Sequence, residues 1–165
     1  MILPRCLAMT LVLLALCIGM VSQCLGSDID KKMVADYICQ LPSSFKPSTL
    51  KALWWVESNW DMDAEPDIGI GQINEKMVVK FYPQMDVAKL RSDWKYNLRM
   101  SNTILEDKLK WVRWRKKQPD WDSFCNKYGL LGMSDGDIAL LAYNGMRKNH
   151  CFVKAIRLGK LRYYK

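Results

Sequence analysis

A glutamate on the apolar stripe of a predicted helix is the feature that most constrains how this chain can fold. Residues 46–59 repeat apolar side chains with a helical period, and one stripe collects four residues: Leu50, Leu53, Trp54 and Glu57. Because such a stripe packs into a core, the carboxyl group loses water, and the nearby helix C-terminus offers no favourable dipole. Glu57 is therefore either a solvated carboxylate at a frayed helix end or an acid that stays protonated near neutral pH and donates a proton.

Helical patterns account for most of the remaining chain, and no segment has the alternation expected of a strand. Four or five helices are predicted: one capped by Ser27 or Asp28 and stopped by Pro42, the Glu57 helix from Pro47, a long one over 97–114, a short one over 138–144, and a last one around 152–159. Residues 61–73 are predicted as a loop, because Pro66, two glycines and four carboxylates interrupt the pattern. The expected fold class is a small all-α domain.

The N-terminal segment 1–26 carries one charge, Arg5, and residues 6–21 form an almost wholly apolar run. A membrane span needs about 20 such residues, whereas this shorter run suits the core of a signal peptide that is cleaved after Gly26. Two alternatives stay open: a lipoprotein signal with Cys24 as the acylated residue, and an uncleaved membrane anchor. All three predict that residues 27–165 form one domain outside the cytoplasm.

Cysteine and histidine are sparse in the exported part of the chain. Cys39, Cys125 and Cys151 remain there, which allows one disulfide and one free thiol in an oxidising compartment. Cys125 lies in a loop-like stretch, so pairing with Cys151 is favoured. The single histidine, His150, forms no metal-binding spacing with these cysteines. Neither a metal nor another cofactor is expected.

Three short motifs follow one another along the chain: Glu57-Ser58, the glycine-rich segment Asp-Ile-Gly-Ile-Gly-Gln-Ile-Asn over 67–74, and Ala142-Tyr143-Asn144-Gly145. In order and spacing they resemble the catalytic domain of the soluble lytic transglycosylases, lysozyme-like enzymes that cleave the glycan strands of peptidoglycan. Residues 93–98 are also similar to a segment of that family that opens a long helix. The resemblance covers residues 34–158, nearly all of the exported part.

The resemblance implies a lysozyme-like fold and an enzyme that breaks a glycosidic bond without water. Glu57 would protonate the oxygen of the β-1,4 bond between N-acetylmuramic acid (MurNAc) and N-acetylglucosamine (GlcNAc). The N-acetyl group of the sugar would help stabilise the resulting cation, and Glu57 would then take the proton of the 6-hydroxyl group. The product would carry a 1,6-anhydro ring, and Glu57 would be the only catalytic carboxyl group.

The first two motifs imply further site residues. Ser58 would brace the neighbouring backbone or the carboxylate. Gly69 and Gly71 would let the backbone approach the sugar without Cβ atoms in the way. Gln72 would offer both a donor and an acceptor to an acetamido or hydroxyl group, although a turn glutamine without a role would look the same in the sequence. The family usually has a methionine where Gly71 stands.

The third motif implies two more site residues. Tyr143 matches a tyrosine whose hydroxyl group orients the glutamate or the substrate, although a packed aromatic residue at a helix end would look the same. Asn144 matches an asparagine that caps a helix end. Gly145 comes one position earlier than in the family pattern Ala-Tyr-Asn-x-Gly, so the local turn differs.

Two other functions stay open. A muramidase or lysozyme-type hydrolase on the same fold would need a second carboxylate, for which Asp61 and Asp67 in the acidic loop are the candidates. A non-catalytic cationic wall-binding protein would rely on charge, because the exported part has a net charge of +7 once Arg5 is removed. Residues 108–117 alone hold six basic side chains.

The expected partner is peptidoglycan in the periplasm or cell envelope. Short single-domain members of the family suggest, in addition, a secretion, pilus or conjugation apparatus. The basic run also allows contact with a membrane of anionic lipid, whereas nucleic acid is not expected. We expect a monomer. Among the tryptophans, Trp54 is predicted to pack in the core, and either Trp60 or Trp94 is predicted to border a sugar-binding groove.

Overall fold

The computed structural model describes residues 29–146 and 153–156. In this part the chain forms seven helices, numbered here in order: α1 (Lys31–Gln40), α2 (Pro47–Ser58), α3 (Glu75–Phe81), α4 (Val87–Ser92), α5 (Trp94–Arg115), α6 (Trp121–Tyr128) and α7 (Asp135–Tyr143). Residues 153–156 are also helical. Within the described residues, strand pairing is limited to one bridge between Ile68 and Ile73. The predicted all-α class is confirmed.

Polar side chains fix where most of these helices begin. The Asp30 carboxylate accepts a hydrogen bond of 2.8 Å from the Lys32 N–H at the start of α1. The same kind of cap opens α3, α4, α5 and α7, through Asn74, Asp86, Asp93 and Ser134. Each cap satisfies a backbone N–H that has no helical partner, and its loss costs about 1 kcal/mol. The predicted cap of α1 at Ser27 or Asp28 is wrong, because Asp30 is the residue that reaches the first turn.

Helix α2, which carries Glu57, has nearly the predicted bounds. Pro47 opens it without penalty, because the N–H that proline lacks would have no partner in the first turn. Asn59 and Trp60 both have positive φ, 56° and 60°, so the chain turns away directly after Ser58. The abrupt end leaves Glu57 one residue from the C-terminus of α2.

The long helix α5 lies at the centre of the core. It packs against α4 and α7, while α1 packs against α2. Four apolar residues at helical spacing form one stripe of α5 and are buried: Leu98, Leu105, Leu109 and Val112. Trp54 of α2 is fully buried in the same cluster, as predicted. Burying each of these side chains contributes roughly 2–3 kcal/mol, so packing does more than helix propensity to hold the helices.

Helices α3, α4 and α6 were not predicted from the sequence. Each is short, with 7, 6 and 8 residues respectively. Together with the loop before them, α3 and α4 bury a second apolar cluster: Ile68, Ile73, Val78, Met85, Leu90 and Ile104. The loop-like assignment of Cys125 is wrong, because this residue is buried in α6. Cys39 and Cys125 are free thiols in the described part, and Cys151 lies outside it.

None of the helices within residues 29–146 and 153–156 combines the length and the hydropathy of a membrane span. The predicted signal segment 1–26 lies outside the described residues, as do His150 and the two ends of the last predicted helix, Phe152 and Gly159.

Candidate active site

The carboxyl group of Glu57 lies in the wall of a cleft of about 410 Å³. The other walls come from the loop before α3, from α5 and from the end of α7. Their residues include Asp67, Gln72, Asn74, Ile104, Lys108, Tyr143 and Asn144. Four of the residues predicted from the sequence motifs, Glu57, Gln72, Tyr143 and Asn144, therefore face the same cleft.

Burial raises the pKa of Glu57 from its usual 4.5 to about 7, because the enclosed carboxyl group loses the water that would solvate its charge. A hydrogen bond from the Asn144 side chain lowers the pKa, and the negative charge of Asp67 raises it. A large fraction of Glu57 is thus protonated at neutral pH, as a proton donor requires. The alternative of a fully solvated carboxylate is wrong, because the side chain is only partly exposed.

Ser58 and Asn97 tie the loop that follows α2 to the rest of the molecule. The Ser58 hydroxyl group lies 2.8 Å from the Ile70 carbonyl oxygen and 3.1 Å from that of Trp54, within reach of donation to either. The buried amide of Asn97 accepts from the Gly71 N–H and donates to the carbonyl oxygens of Ile68 and Leu90. Ser58 itself is buried and is not part of the cleft wall.

The two glycines of the loop are needed for close packing against α5. A Cβ atom on Gly69 would lie 2.5 Å from Asn97 Nδ2, and one on Gly71 would lie 2.6 Å from Ser101 Oγ. Gly69 also has a φ of +65°, which side chains disfavour. Both glycines are buried, and neither lines the cleft. The prediction that these glycines leave space for a sugar is therefore wrong, because side chains of α5 occupy that space.

Gln72 uses its amide group to shape the loop. Its Nε2 atom lies 2.9 Å from the Ala64 carbonyl oxygen, 3.0 Å from that of Gly69 and 3.3 Å from that of Asp67. With both amide hydrogens directed into the loop, only Oε1 remains to accept a hydrogen bond from a ligand in the cleft. The predicted double role as donor and acceptor is thus reduced to that of an acceptor.

Tyr143 is part of a chain of hydrogen bonds that runs from Trp54 through Ser101 and Tyr143 to the Gly71 carbonyl group. The indole N–H of Trp54 donates to Ser101 Oγ at 2.7 Å, and Tyr143 donates to the Gly71 carbonyl oxygen at 2.5 Å. The hydroxyl groups of Ser101 and Tyr143 lie 2.6 Å apart. Because the Tyr143 proton goes to Gly71, Ser101 must donate to Tyr143.

The phenol of Tyr143 stays neutral in this setting. Burial of the hydroxyl group, followed by the charge of Glu57, raises the pKa of Tyr143. Part of the ring faces the cleft, while the hydroxyl group is committed to Ser101 and Gly71. Tyr143 therefore holds the loop at a fixed distance from α7. Asn144 occupies the C-cap of α7, as the motif predicted, and binds Glu57 through its side chain.

The two candidate second carboxylates differ in position. Asp67 lines the cleft beside Glu57, and its Oδ1 atom accepts a 2.9 Å hydrogen bond from Asn74 Nδ2. Asp61 is exposed, accepts from the Asp63 N–H, and is not among the residues that line the cleft. Of the pair, only Asp67 is held where it could act on a substrate together with Glu57.

Neither tryptophan that was predicted to border a groove does so. Trp60 is 5% exposed and donates its indole N–H to the Lys51 carbonyl oxygen beneath α2. Trp94 is partly buried and packs edge-on against Tyr37, with 5.3 Å between ring centroids. These predictions are wrong because both rings fill gaps between helices. Trp111, in contrast, lines a recess that adjoins the cleft.

The site also depends on residues that were not predicted as site residues. Asn97, Ser101, Ile104 and Lys108 follow one another on α5 at intervals of four, three and four residues, so they share one face of the helix. The first two hold the loop, and the last two line the cleft. Their signal in the sequence is a second, partly polar stripe beside the apolar stripe of α5.

Comparisons of the chain with models of protein families, with curated proteins and with solved structures found no match. The interpretation of the cleft therefore rests on its own chemistry. Within the described residues, no group of three or more histidine, cysteine, aspartate or glutamate side chains is arranged to hold a metal ion. The chemistry that this part of the chain offers is proton transfer by Glu57 beside a second carboxylate, Asp67.

Proposed function

We propose that this protein is a lytic transglycosylase with a lysozyme-like fold, which cleaves peptidoglycan with Glu57 as both acid and base. The single observation that carries the proposal is the setting of Glu57. Its carboxyl group has a pKa of about 7 and forms part of the wall of an open cleft. A carboxyl group that is half protonated at neutral pH can donate a proton and take one back in the same cycle.

The shape of the cleft supports a polymeric substrate. The cleft adjoins a recess near Arg91, with which it shares Asp67 and Asn74. It adjoins another recess near Trp111, with which it shares Met77 and Lys108. Two further depressions thus adjoin the cleft that holds Glu57, which leaves room for a substrate longer than one sugar. The net positive charge of the exported part favours an acidic wall polymer.

The proposed reaction has two proton transfers. Glu57 donates its proton to the glycosidic oxygen between MurNAc and GlcNAc as the bond from C1 to that oxygen breaks. The cation that develops at C1 is stabilised by the N-acetyl group of the same sugar. The Glu57 carboxylate then takes the proton of the 6-hydroxyl group as its oxygen bonds to C1, which closes the 1,6-anhydro ring and restores the acid. The 6-hydroxyl group reacts readily because it is already tethered to the reacting ring.

A muramidase is the second candidate function, and the position of Asp67 is the observation that favours it. Water can replace the 6-hydroxyl group if a second carboxylate activates it or forms a covalent intermediate with the sugar. Asp67 shares the cleft with Glu57 and is oriented by Asn74. In this mechanism Asp67 would be essential, whereas in the transglycosylase mechanism it would only tune the pKa of Glu57.

Mass analysis of the products separates the two reactions. Purified peptidoglycan is digested with the protein, and the soluble muropeptides are examined by mass spectrometry. We expect 1,6-anhydro-MurNAc ends, which are lighter than hydrolysed ends by one water. We also expect Asp67→Asn to retain this activity. Products that end in reducing MurNAc, together with loss of activity in Asp67→Asn, would establish the hydrolase and refute the transglycosylase.

A matched pair of variants tests the role of Glu57 itself. Glu57→Gln should lose turnover by at least about 100-fold, because an amide cannot donate the catalytic proton. Glu65→Gln removes an exposed carboxylate from the loop over 61–73 and should digest peptidoglycan like the parent protein. Near-normal digestion by Glu57→Gln, with an unchanged circular dichroism spectrum, would refute Glu57 as the acid and base. Binding of peptidoglycan without digestion by the parent protein would leave only the role of a non-catalytic wall-binding protein.

Export to the periplasm or cell envelope is part of the proposal, as is action beside a secretion, pilus or conjugation apparatus. The apolar run 6–21 supports export, because its length is typical of a signal peptide. Mass spectrometry of the protein from its native host should find an N-terminus that lacks residues 1–26, or a lipid on Cys24. An intact N-terminus in the soluble cytoplasm would refute export.

A further inference from the structure

An apolar recess of about 510 Å³ opens beside the cleft that holds Glu57. The two depressions share three lining residues, Met77, Lys108 and Ala142, so a ligand can extend from one into the other without leaving the surface. We call the apolar recess beside the cleft the side recess. Its remaining walls include two aromatic rings, Tyr82 and Trp111.

The side recess is mostly apolar, although Asp107 and Lys108 also line it. Phe81 at its rim is 63% exposed. Trp111 is held in place by an edge-on contact with Phe124, at 5.9 Å between ring centroids. The recess therefore presents a rigid apolar surface to any branch of a ligand that leaves the cleft on this side.

Lys108 lies at the boundary between the cleft and the side recess. It is partly buried, and among the residues that the structure describes it forms no ion pair or hydrogen bond. Its neighbour Asp107 is bound by Lys110 Nζ at 3.0 Å, and its charge contributes to raising the pKa of Tyr82, after burial. Asp107 also lines the side recess, where Lys110 offsets its charge.

Other basic residues of the same run do have partners. Arg115 pairs with Asp120, and Lys116 pairs with Asp135. Lys108 differs from these paired residues in that it lies between two depressions that a ligand can reach. A partly buried lysine that has no ion pair within residues 29–146 and 153–156 favours an anionic ligand group, and a carboxylate is the anion that the proposed substrate carries.

We propose that the side recess binds the lactyl-peptide branch of a muramyl sugar, with a carboxylate of that branch at Lys108. This inference rests on the proposed function, because it takes the muramyl sugar to lie in the cleft. The branch leaves the sugar at its 3-oxygen. Its methyl groups meet Tyr82, Trp111 and Phe81, while its carboxylate bonds to the Lys108 ammonium group. The contact selects muramyl glycans over neutral chitin-like ones.

Two variants of equal charge change isolate the role of Lys108. Lys108→Gln removes the cation at the side recess, and Lys117→Gln removes an exposed cation just beyond the end of the same helix. Both are made in the Glu57→Gln background, so that no ligand is cleaved. Binding of muramyl dipeptide, N-acetylmuramic acid and tri-N-acetylchitotriose is measured by NMR titration.

We expect Lys108→Gln to weaken the binding of muramyl dipeptide by about tenfold or more, because a charge-assisted hydrogen bond is lost. Lys117→Gln should leave that dissociation constant unchanged, and neither variant should affect chitotriose. A loss confined to the dipeptide would assign the contact to the peptide carboxylate, because the lactyl carboxyl group of the dipeptide is an amide. An equal loss for N-acetylmuramic acid would show that its free lactyl carboxylate also reaches Lys108. Phe81→Ser, an exposed change that leaves the core intact, should weaken only the muramyl ligands.

Three results would overturn the inference. They are no effect of Lys108→Gln, an equal effect of Lys117→Gln, or an equal loss for chitotriose, which would make the recess a site for neutral sugar. The outcome is independent of turnover. Glycan cleavage by the parent protein with no role for Lys108 in binding would refute this inference alone. Binding that depends on Lys108 without any glycan cleavage would refute the proposed function alone.

Discussion

Replacing Glu57 with glutamine should stabilise the protein at alkaline pH while it abolishes turnover. The carboxyl group is buried enough that its pKa rises from 4.5 to about 7. The folded state therefore binds the proton more tightly than the unfolded state does. By linkage, the stabilisation from this group is complete below about pH 4.5 and is lost as the pH rises through about 7. Glutamine resembles the protonated acid in shape but cannot ionise.

The size of the effect follows from the pKa shift. Between 4.5 and about 7 the shift is about 2.5 pH units, and each unit corresponds to about 1.4 kcal/mol of folding free energy. The ionised group thus destabilises the folded protein by about 3 kcal/mol at pH 9. For a chain of this length, that difference corresponds to roughly 6–12 °C in melting temperature.

The assay is urea unfolding of both proteins at pH 4.5 and pH 9. We expect the two to have similar free energies of unfolding at pH 4.5, and Glu57→Gln to be more stable by about 3 kcal/mol at pH 9. Glu65→Gln, which changes an exposed carboxylate, should track the parent protein at both values. A difference between Glu57→Gln and the parent that is the same at both pH values would refute the idea that burial sets this pKa.

Two further predictions concern the surroundings of Glu57. Asp67→Asn removes a charge that raises the pKa of Glu57, so the alkaline limb of the pH–activity profile, expected near pH 7, should move to lower pH; an unmoved limb would show that another group controls it. Gly71→Ala puts a Cβ atom 2.6 Å from Ser101 Oγ and should destabilise the fold by about 1–3 kcal/mol in urea unfolding. Gly136→Ala adds a Cβ atom at an ordinary contact distance, 3.5 Å from the Phe45 ring, so a loss as large as that of Gly71→Ala would argue against a packing clash.

The sequence predicted the elements whose pattern is long and regular. The stripe of α2 and the four apolar residues of α5 repeat over several turns, so their helical period is clear and their burial followed. Helices α3, α4 and α6 have at most two turns each. A segment this short forms a helix only when caps and tertiary packing support it, and neither can be read from local periodicity.

The loop before α3 shows a different limit. Its glycines, its proline and its carboxylates correctly predicted a loop, but they could not show what the loop would contact. Gly71 lies against Asn97 and Ser101, which follow it by 26 and 30 positions in the chain. A missing Cβ atom looks the same in the sequence whether a sugar or a helix fills the space, so only the fold distinguishes the two.

The second, partly polar stripe of α5 connects the loop before α3 with the cleft. Asn97 binds the Gly71 N–H, and one turn later Ser101 donates to the tyrosine that binds the Gly71 carbonyl group. Both backbone polar groups of Gly71 are thus set, directly or through Tyr143, by α5. Two turns further on, Lys108 lies where the cleft meets the side recess. The spacing between the loop and Lys108 is therefore fixed by the rise of a rigid helix. In the proposed function, the same helix sets both the loop beside the catalytic glutamate and the contact that distinguishes muramyl from neutral glycans.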